Sequence, residues 1–273
     1  MRCSLWKTAL RSFLTCLLWT GLSFGCPPQD HCPSGTACGS GTSTKIAMPY
    51  TTPPSVTITE LHHEADAELV IEKGPNPGRV EWEVDENWAS HVRLEVSVHG
   101  NALKLSGTKS KDLVCPSGER CMNTIRVTVP DLTTVHQAPR AGSVVSRERW
   151  VAVKEFTVAA YSQRGSLVSL NVAGSSVNVL AGHPEVHVTC NVDKAFLAVD
   201  WGSDFTWDAK GIKAKKTEVI LPPVSTILVD ETRELIVYSA PTRKGKVGYR
   251  GNPKINDVNG APSGSIFKIA DAN

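Results

Sequence analysis

The stretch SLVSLNVAGSSVNVLAG, Ser166 to Gly182, decides how this chain is read. Leu167, Leu170 and Val172 lead into the small residues Gly174, Ser175 and Ser176, and Val177, Val179 and Leu180 lead out. The pattern predicts one strand, a tight turn and a second strand. Similar beats follow in VHVTCNVDKAFLAV (186–199), TEVILPPVSTILV (217–229) and LIVYSAPTRKGKVGY (235–249). They recur at roughly twenty residues, the period at which one coil of a β-solenoid stacks on the next. The small-residue turn is expected first at AGSVV, 141–145. No apolar repeat at helical spacing competes with this pattern. The expected class is therefore all-β, a parallel β-helix or solenoid of coil repeats over 141–269, with antiparallel hairpin elements in the N-terminal part. A sandwich fits less well, because the apolar runs lack the strict alternation of a half-exposed antiparallel sheet.

Working back toward the N-terminus, short β-rich runs fill a first portion, 56–140. They are Thr57 to Glu60, Ala67 to Glu72, Arg79 to Val84, Val92 to Val98, Ala102 to Ser106 and Ile125 to Val129. In RVEWEVDE, Val80, Trp82 and Val84 share one face and Glu81, Glu83 and Asp85 the other. His99-Gly100-Asn101 reads as a hairpin turn, and Glu86 to His91 as a short helical turn. Residues 26–55 are rich in Pro, Gly, Ser and Thr, which predicts an extended tether rather than a core element. Residues 270–273 form a short tail.

Residues 1–25 have the pattern of a signal peptide: Arg2, Lys7 and Arg11, an apolar run from Phe13 to Leu22, then Ser23 and Gly25 before Cys26. Export is the expectation, to the periplasm, the outer membrane or the cell surface. Two readings of Cys26 stay open, a lipid anchor that would be the chain's link to the membrane, or a plain secreted end; Ser23 stands where a bacterial lipoprotein pattern wants Leu. Cys32 with Cys38 and Cys115 with Cys121 have equal spacing, and each pair brackets a Pro-Ser-Gly segment. An oxidising compartment would make both pairs disulfides, whereas zinc wants other spacings. Cys26 and Cys190 remain, the one lipidated and the other buried, or paired with each other. At 273 residues and 41% hydrophobic, the chain is long enough for a sizeable core. Its net charge of +2 gives no argument for a nucleic-acid partner, and the lysines at 210, 213, 215 and 216 read as a solvated strand face.

In order, ELVIEKG, VEWEVDEN, NALKLSG, IRVTVPDLTTV, LNVAGSSVNV, SDFTWDAKGIKAKKTEV and VGYRGNPKINDVNGAPSGSI resemble the auto-transporter adhesin family that carries the head GIN domain. The resemblance spans about 57–269 and is most specific at Val129 to Leu132, Ala209 to Ala214 and Tyr249 to Lys254. It implies a bacterial envelope protein with a coiled all-β fold, a family role that is not established, and no catalytic residues. The family repeats a Ser-Gly-Ser-Gly turn that this chain keeps closely only at 141–145 and 173–177.

For binding, the candidate is DWGSDFTWD, Asp200 to Asp208. Trp201, Phe205 and Trp207 offer flat apolar faces and Asp200, Asp204 and Asp208 offer acceptors, a mix suited to sugars and to oxygen ligation of calcium, though the spacing matches neither the EF-hand nor the RTX calcium pattern. The competing reading is a coil corner whose aromatics pack on the next coil. His183, His187 and Cys190 do not read as a metal site, because positions four apart on a strand lie about 13 Å from each other. His62, His63, Glu64 and Asp66 read as a loop or exposed strand edge. The chain has no nucleophile elbow, zincin motif, phosphate loop or dinucleotide fingerprint, so no cofactor, metal or catalytic residue is expected. The expected function is a non-enzymatic envelope protein presenting a surface for adhesion, monomeric, with envelope glycans or proteins as partners and no nucleic acid. A carbohydrate-binding module is the alternative, and a polysaccharide-degrading enzyme using Asp200, Asp204 and Asp208 near Lys210 a more distant one.

Overall fold

The computed structural model describes residues 42–48, 50, 56–75, 78–110, 123–161, 166–199, 204–240 and 242–270. Among them there is no α-helix, and the chain is a β-solenoid of about 6 turns with mixed antiparallel elements in its N-terminal part. Cys26, Cys32, Cys38, Cys115, Cys121 and Trp201 lie outside the described residues.

The regular part is a stack of long parallel strands: β9 (Val144–Ala160), β10 (Val168–Ala181), β11 (Val186–Val199), β13 (Ile212–Ile220), β15 (Thr232–Tyr238) and β17 (Lys254–Val258). Between them a second sheet stacks β12 (Thr206–Asp208), β14 (Thr226–Val229), β16 (Lys246–Tyr249) and β18 (Ile266–Lys268), also parallel. The sequence period is visible in the register. Thr206 lies beside Thr226 and Thr226 beside Lys246, one coil apart each time.

The stretch that set the fold is one continuous strand rather than strand, turn and strand. Val168, Leu170 and Val172 point inward, and after the small residues Val177, Val179 and Ala181 do so. The inward positions change parity between Val172 and Val177, and the register against β9, whose inward positions keep theirs, shifts between Gly174 and Ser176. The small residues therefore form a corner within the strand. A Cβ on Gly174 would lie 2.5 Å from the Ala152 carbonyl oxygen of the coil beneath, at a φ of +157°, so the close approach of two backbones requires glycine. The Ser175 and Ser176 hydroxyls then donate to the Val153 and Lys154 carbonyls, at 3.3 and 3.0 Å. The same change of parity occurs in β11 between Val192 and Ala195 and in β13 between Ala214 and Thr217, so the corners stack. AGSVV is not an equivalent turn: it precedes and opens β9, and Ala173 and Gly174 sit instead beside Val151 and Ala152.

The N-terminal part grows from β9 in two branches. The first half of β9 pairs with β3 (Glu68–Lys73), followed by β7 (Thr124–Val129), β4 (Arg79–Asp85) and β1 (Ser43–Met48). Its second half pairs with β8 (Thr134–Gln137), followed by β2 (Glu60–His63), β6 (Ala102–Lys109) and β5 (Val92–His99). The β5–β6 hairpin turns at Gly100, whose φ is +62°, and Val80, Trp82 and Val84 face the core. The expected tether needs correction at one place: β1 lies within it, antiparallel to β4, with Ile46 and Met48 against the core. The flanking Pro, Gly and Thr residues mask the alternation of Thr44, Ile46 and Met48 in the composition.

The solenoid closes at β17. Its Ile255 points inward beside Leu235 but is 38% exposed, since β17 is the last strand of its sheet. Next along, Asp257 also faces the interior side, accepting from the Ser239 hydroxyl at 2.8 Å and from the Ala261 amide. An inward carboxylate at a terminal coil discourages another coil from stacking there.

Candidate functional site

The segment expected to bind sugars is structural where it is described. Trp207 on β12 is fully buried, and its indole N–H donates to the Val186 carbonyl at 2.9 Å. It sits in register with Ile227 and, through it, Val247, so the aromatic expected to meet a ligand is a core wedge. Phe205 packs against that core from its edge. Asp208 is held by a two-pronged pair with the Arg250 guanidinium at 3.0 and 3.1 Å, which ties β12 to the end of β16 and lifts the guanidinium's affinity for its proton. Asp204 alone of the described binding residues is free in solvent. The aromatics and carboxylates thus point different ways. Of the competing coil-corner reading the packed aromatic is found, but 206–208 is a strand and Asp208 is ion-paired rather than left in water.

The histidines separate in the same manner. His183 is buried, and Gln137 fixes its ring: the Gln137 amide donates to the Gly142 carbonyl at 2.7 Å, leaving its oxygen, 3.2 Å from His183 Nε2, as the acceptor. Nε2 therefore carries the proton and buried Nδ1 has no hydrogen-bond partner. Burial pushes the His183 pKa down, against the pull of Glu185 and with the push of His187. His187 is exposed on the outer face, and Cys190 is buried on the inner one with its thiol pushed up to about 12 by burial. His62 and His63 are also not on an edge strand as expected, since β2 lies between β6 and β8. His63 points inward and its Nε2 lies 2.8 Å from the Ala67 carbonyl. His62 points outward against His136, which in turn meets Tyr161, each contact 5.2 Å between ring centres. Among the described residues no three His, Cys, Asp or Glu side chains gather as a metal site.

What the linear reading missed is a difference between the two halves of each long strand. Before the corner, the outward residues are polar: Ser169 and Asn171 on β10, His187, Thr189 and Asn191 on β11, Lys213 and Lys215 on β13. Of these, Asn191, Lys213 and Lys215 line a shallow depression with Glu231 and Arg233, and both lysines are matched, Lys213 to Glu231 at 3.1 Å and Lys215 to Asp193 at 2.7 Å. The lysine cluster is accordingly a solvated, ion-paired flank. After the corner apolar residues join the outward set beside the polar Asn178, Glu218 and Asn256: Leu180 on β10, Phe196 on β11 and Ile220 on β13 are half-buried, Tyr238 on β15 is exposed, and Ala198 and Ile236 are nearly covered, at 9% and 8% exposure.

The apolar residues fall in two rows. One runs Asn178, Phe196, Glu218, Ile236, Asn256; the other includes Leu180 beside Ala198, and Ile220, Tyr238 and Val258. Tyr238 is 36% exposed, and its hydroxyl donates to Glu218 at 2.9 Å, which fixes the side chain in place. That bond and the Lys216 ammonium at 2.7 Å hold the Glu218 carboxyl below the usual range, Lys216 more strongly. Along the corner runs a charged rail, Ser176, Lys194, Lys216, Glu234 and Lys254 in register. On β9 the outward Val151 and Val153 also project, but they stand at the corner itself, away from these two rows. The signal in the sequence was the parity of the apolar residues: KAFLAV, ELIVY and VLAG carry adjacent hydrophobics where a one-sided strand would alternate.

No family model matches the chain, and no curated protein matches it. Solved structures of similar fold do. One, described as a putative adhesin from Bacteroides fragilis, is 15% identical over 85% of this chain and 95% of its own, with a TM-score of 0.62. Another putative adhesin, from Parabacteroides distasonis, is 14% identical over 86% of this chain and 100% of its own, at 0.56. A third, from the same species and described as a putative lipid binding protein, is 19% identical over the same shares, at 0.54. At these identities the likeness establishes the fold, shared along nearly the whole length of each structure.

Proposed function

We propose that this chain is an exported, non-enzymatic surface protein whose rigid β-solenoid presents one flank for adhesion or assembly. The observation that carries the reading is the apolar flank of β10, β11, β13 and β15, set outward on strands whose other half is polar. A contiguous apolar patch of a few hundred Å² on a protein surface is often a contact site. The descriptions of the similar structures, two as adhesins and one as lipid binding, agree with a surface role. The signal-like residues 1–25, the paired cysteines and Cys26 belong to the same reading, as does membership of the head GIN group. Binding of the purified chain to cells, matrix components and envelope glycans tests it, and absence of binding to all of them rejects it. Intact mass of the protein from the membrane fraction separates a lipid on Cys26 from a Cys26–Cys190 disulfide. Burial of the Cys190 thiol favours the lipid.

A further inference from the structure

We infer that the outward strip centred on Phe196 and Tyr238 binds a neutral polysaccharide chain lying across the strands, along the solenoid axis; this rests on the surface-protein reading and names its ligand class. The strip is two side-chain rows wide and crosses β10, β11, β13, β15 and β17. With strands ~4.8 Å apart and alternate residues ~7 Å apart along a strand, it covers about 340 Å². A stable dimer buries about 800 Å² on each partner. A second copy of this chain is thus a poor occupant, and a long, narrow ligand a good one.

The chemistry of the strip favours sugar. Phe196 and Tyr238 sit on β11 and β15, two strands apart and in neighbouring rows, so their positions are offset by about 10 Å along the axis and ~7 Å across it, and a chain touching both crosses the strip slightly aslant. That offset suits stacking against alternate units of an extended sugar chain, whose C–H faces are apolar. Asn178, Glu218 and Asn256 stand in the same row as Phe196 and offer amide and carboxylate groups to ring hydroxyls. The charges beside the strip cancel. Lys194, Lys216 and Lys254 share one row with Glu155 and Glu234, and Lys216 pairs with Glu218 of the next row, so the three cations stand among three carboxylates and leave no net charge to attract an acidic polymer. A peptide strand would instead seek a sheet edge, where backbone groups are unpaired, and this strip lies on the face.

The test incubates the full chain with suspended cellulose, with chitin and with phosphatidylcholine vesicles, and measures what remains in solution. The expected result is retention by at least one polysaccharide and not by the vesicles. Phe196→Ser with Tyr238→Ser should lower that affinity at least tenfold, while Lys213→Ser with Lys215→Ser on the polar flank leaves it unchanged. Where the double aromatic variant fails to fold by circular dichroism, Ile220→Lys, at a half-buried position beside Tyr238, places a charge in the strip and should lower affinity by a similar factor. Retention by neither polysaccharide, equal retention by vesicles, a solution dimer abolished by Ile220→Lys, or variants that bind as the parent does would each overturn the inference. If the parent adheres to cells and the strip variants adhere equally, the ligand assignment fails and the surface-protein reading stands; if the parent adheres to nothing, the reading itself fails.

Discussion

The first and second halves of β10, β11 and β13 share one backbone stack, one interior and one corner, yet they present opposite surfaces. Before the corner, Asn171, Thr189 and Lys213 meet water; after it, Leu180, Phe196 and Ile220 do. A parallel coil buries its interior on both sides of the corner, so the inward residues are constrained alike and the outward ones are not. Interior pattern therefore reports the fold, and departures from it on the outside report what the surface is for. The pair Trp207 and Tyr238 shows the same lesson in single residues. Both are aromatic, and only the second reaches the surface.

Replacing that pair gives the largest contrast. Trp207→Ala removes a fully buried indole and leaves the Val186 carbonyl without its donor, for an expected loss of about 3–5 kcal/mol in denaturant unfolding. Tyr238→Ala should leave the unfolding midpoint close to that of the parent and change binding instead. If Trp207→Ala unfolds no more easily than Tyr238→Ala, the distinction between inner and outer aromatics collapses.

The corner joining the two halves comes next. Gly174→Ala forces a methyl group toward the Ala152 carbonyl of the neighbouring coil, and neither backbone has room to yield. The expected cost is about 1–3 kcal/mol. Ser175→Ala, which loses only a 3.3 Å bond on an exposed hydroxyl, should fall well below it. Equal effects would mean that the serine hydroxyls, rather than the close approach at Gly174, hold the corner.

Much of this architecture was legible in the chain. The twenty-residue beat, the strands from Glu68 to Val129 and the hairpin at Gly100 follow from local pattern and turn chemistry, which a linear reading sees directly. Two features were hidden for physical reasons. A strand that turns a corner keeps its hydrogen bonds while its inward set changes parity, so Gly174 to Ser176 looks like a chain reversal. The binding segment misled because aromatic residues near carboxylates describe both a sugar site and a wedge with its flanking ion pair. Only the register of Trp207 with Ile227, and the 42-residue jump from Asp208 to Arg250, distinguishes them.

Acid should weaken the fold through two of its histidines. Burial holds the folded-state pKa of His183 below its unfolded value, and His136 is lowered by burial and by the neighbouring His62. The unfolded chain then takes up more protons, so stability is full above about pH 6.5 and declines as pH falls below it. Thermal midpoints measured between pH 7.5 and 5 should drop on the acid side. His183→Gln should make that drop shallower. A slope unchanged by His183→Gln would show that the buried ring does not carry the acid response.

The smallest effect belongs to the polar flank and is the strictest check on the comparison. Lys215 and Asp193 lie 2.7 Å apart across β11 and β13, and the contact holds the Asp193 carboxyl below its usual range. Both side chains are more than half exposed, so solvent and salt screen the attraction and each gives up rotamer freedom to make it. Asp193→Ser, Lys215→Ser and the double variant should therefore unfold at the same denaturant midpoint as the parent, at low and at physiological salt, and bind as it does. A coupling between the two that survives salt would make this flank a structural element in its own right. The polar half of each strand would then no longer be the inert counterpart of the apolar half.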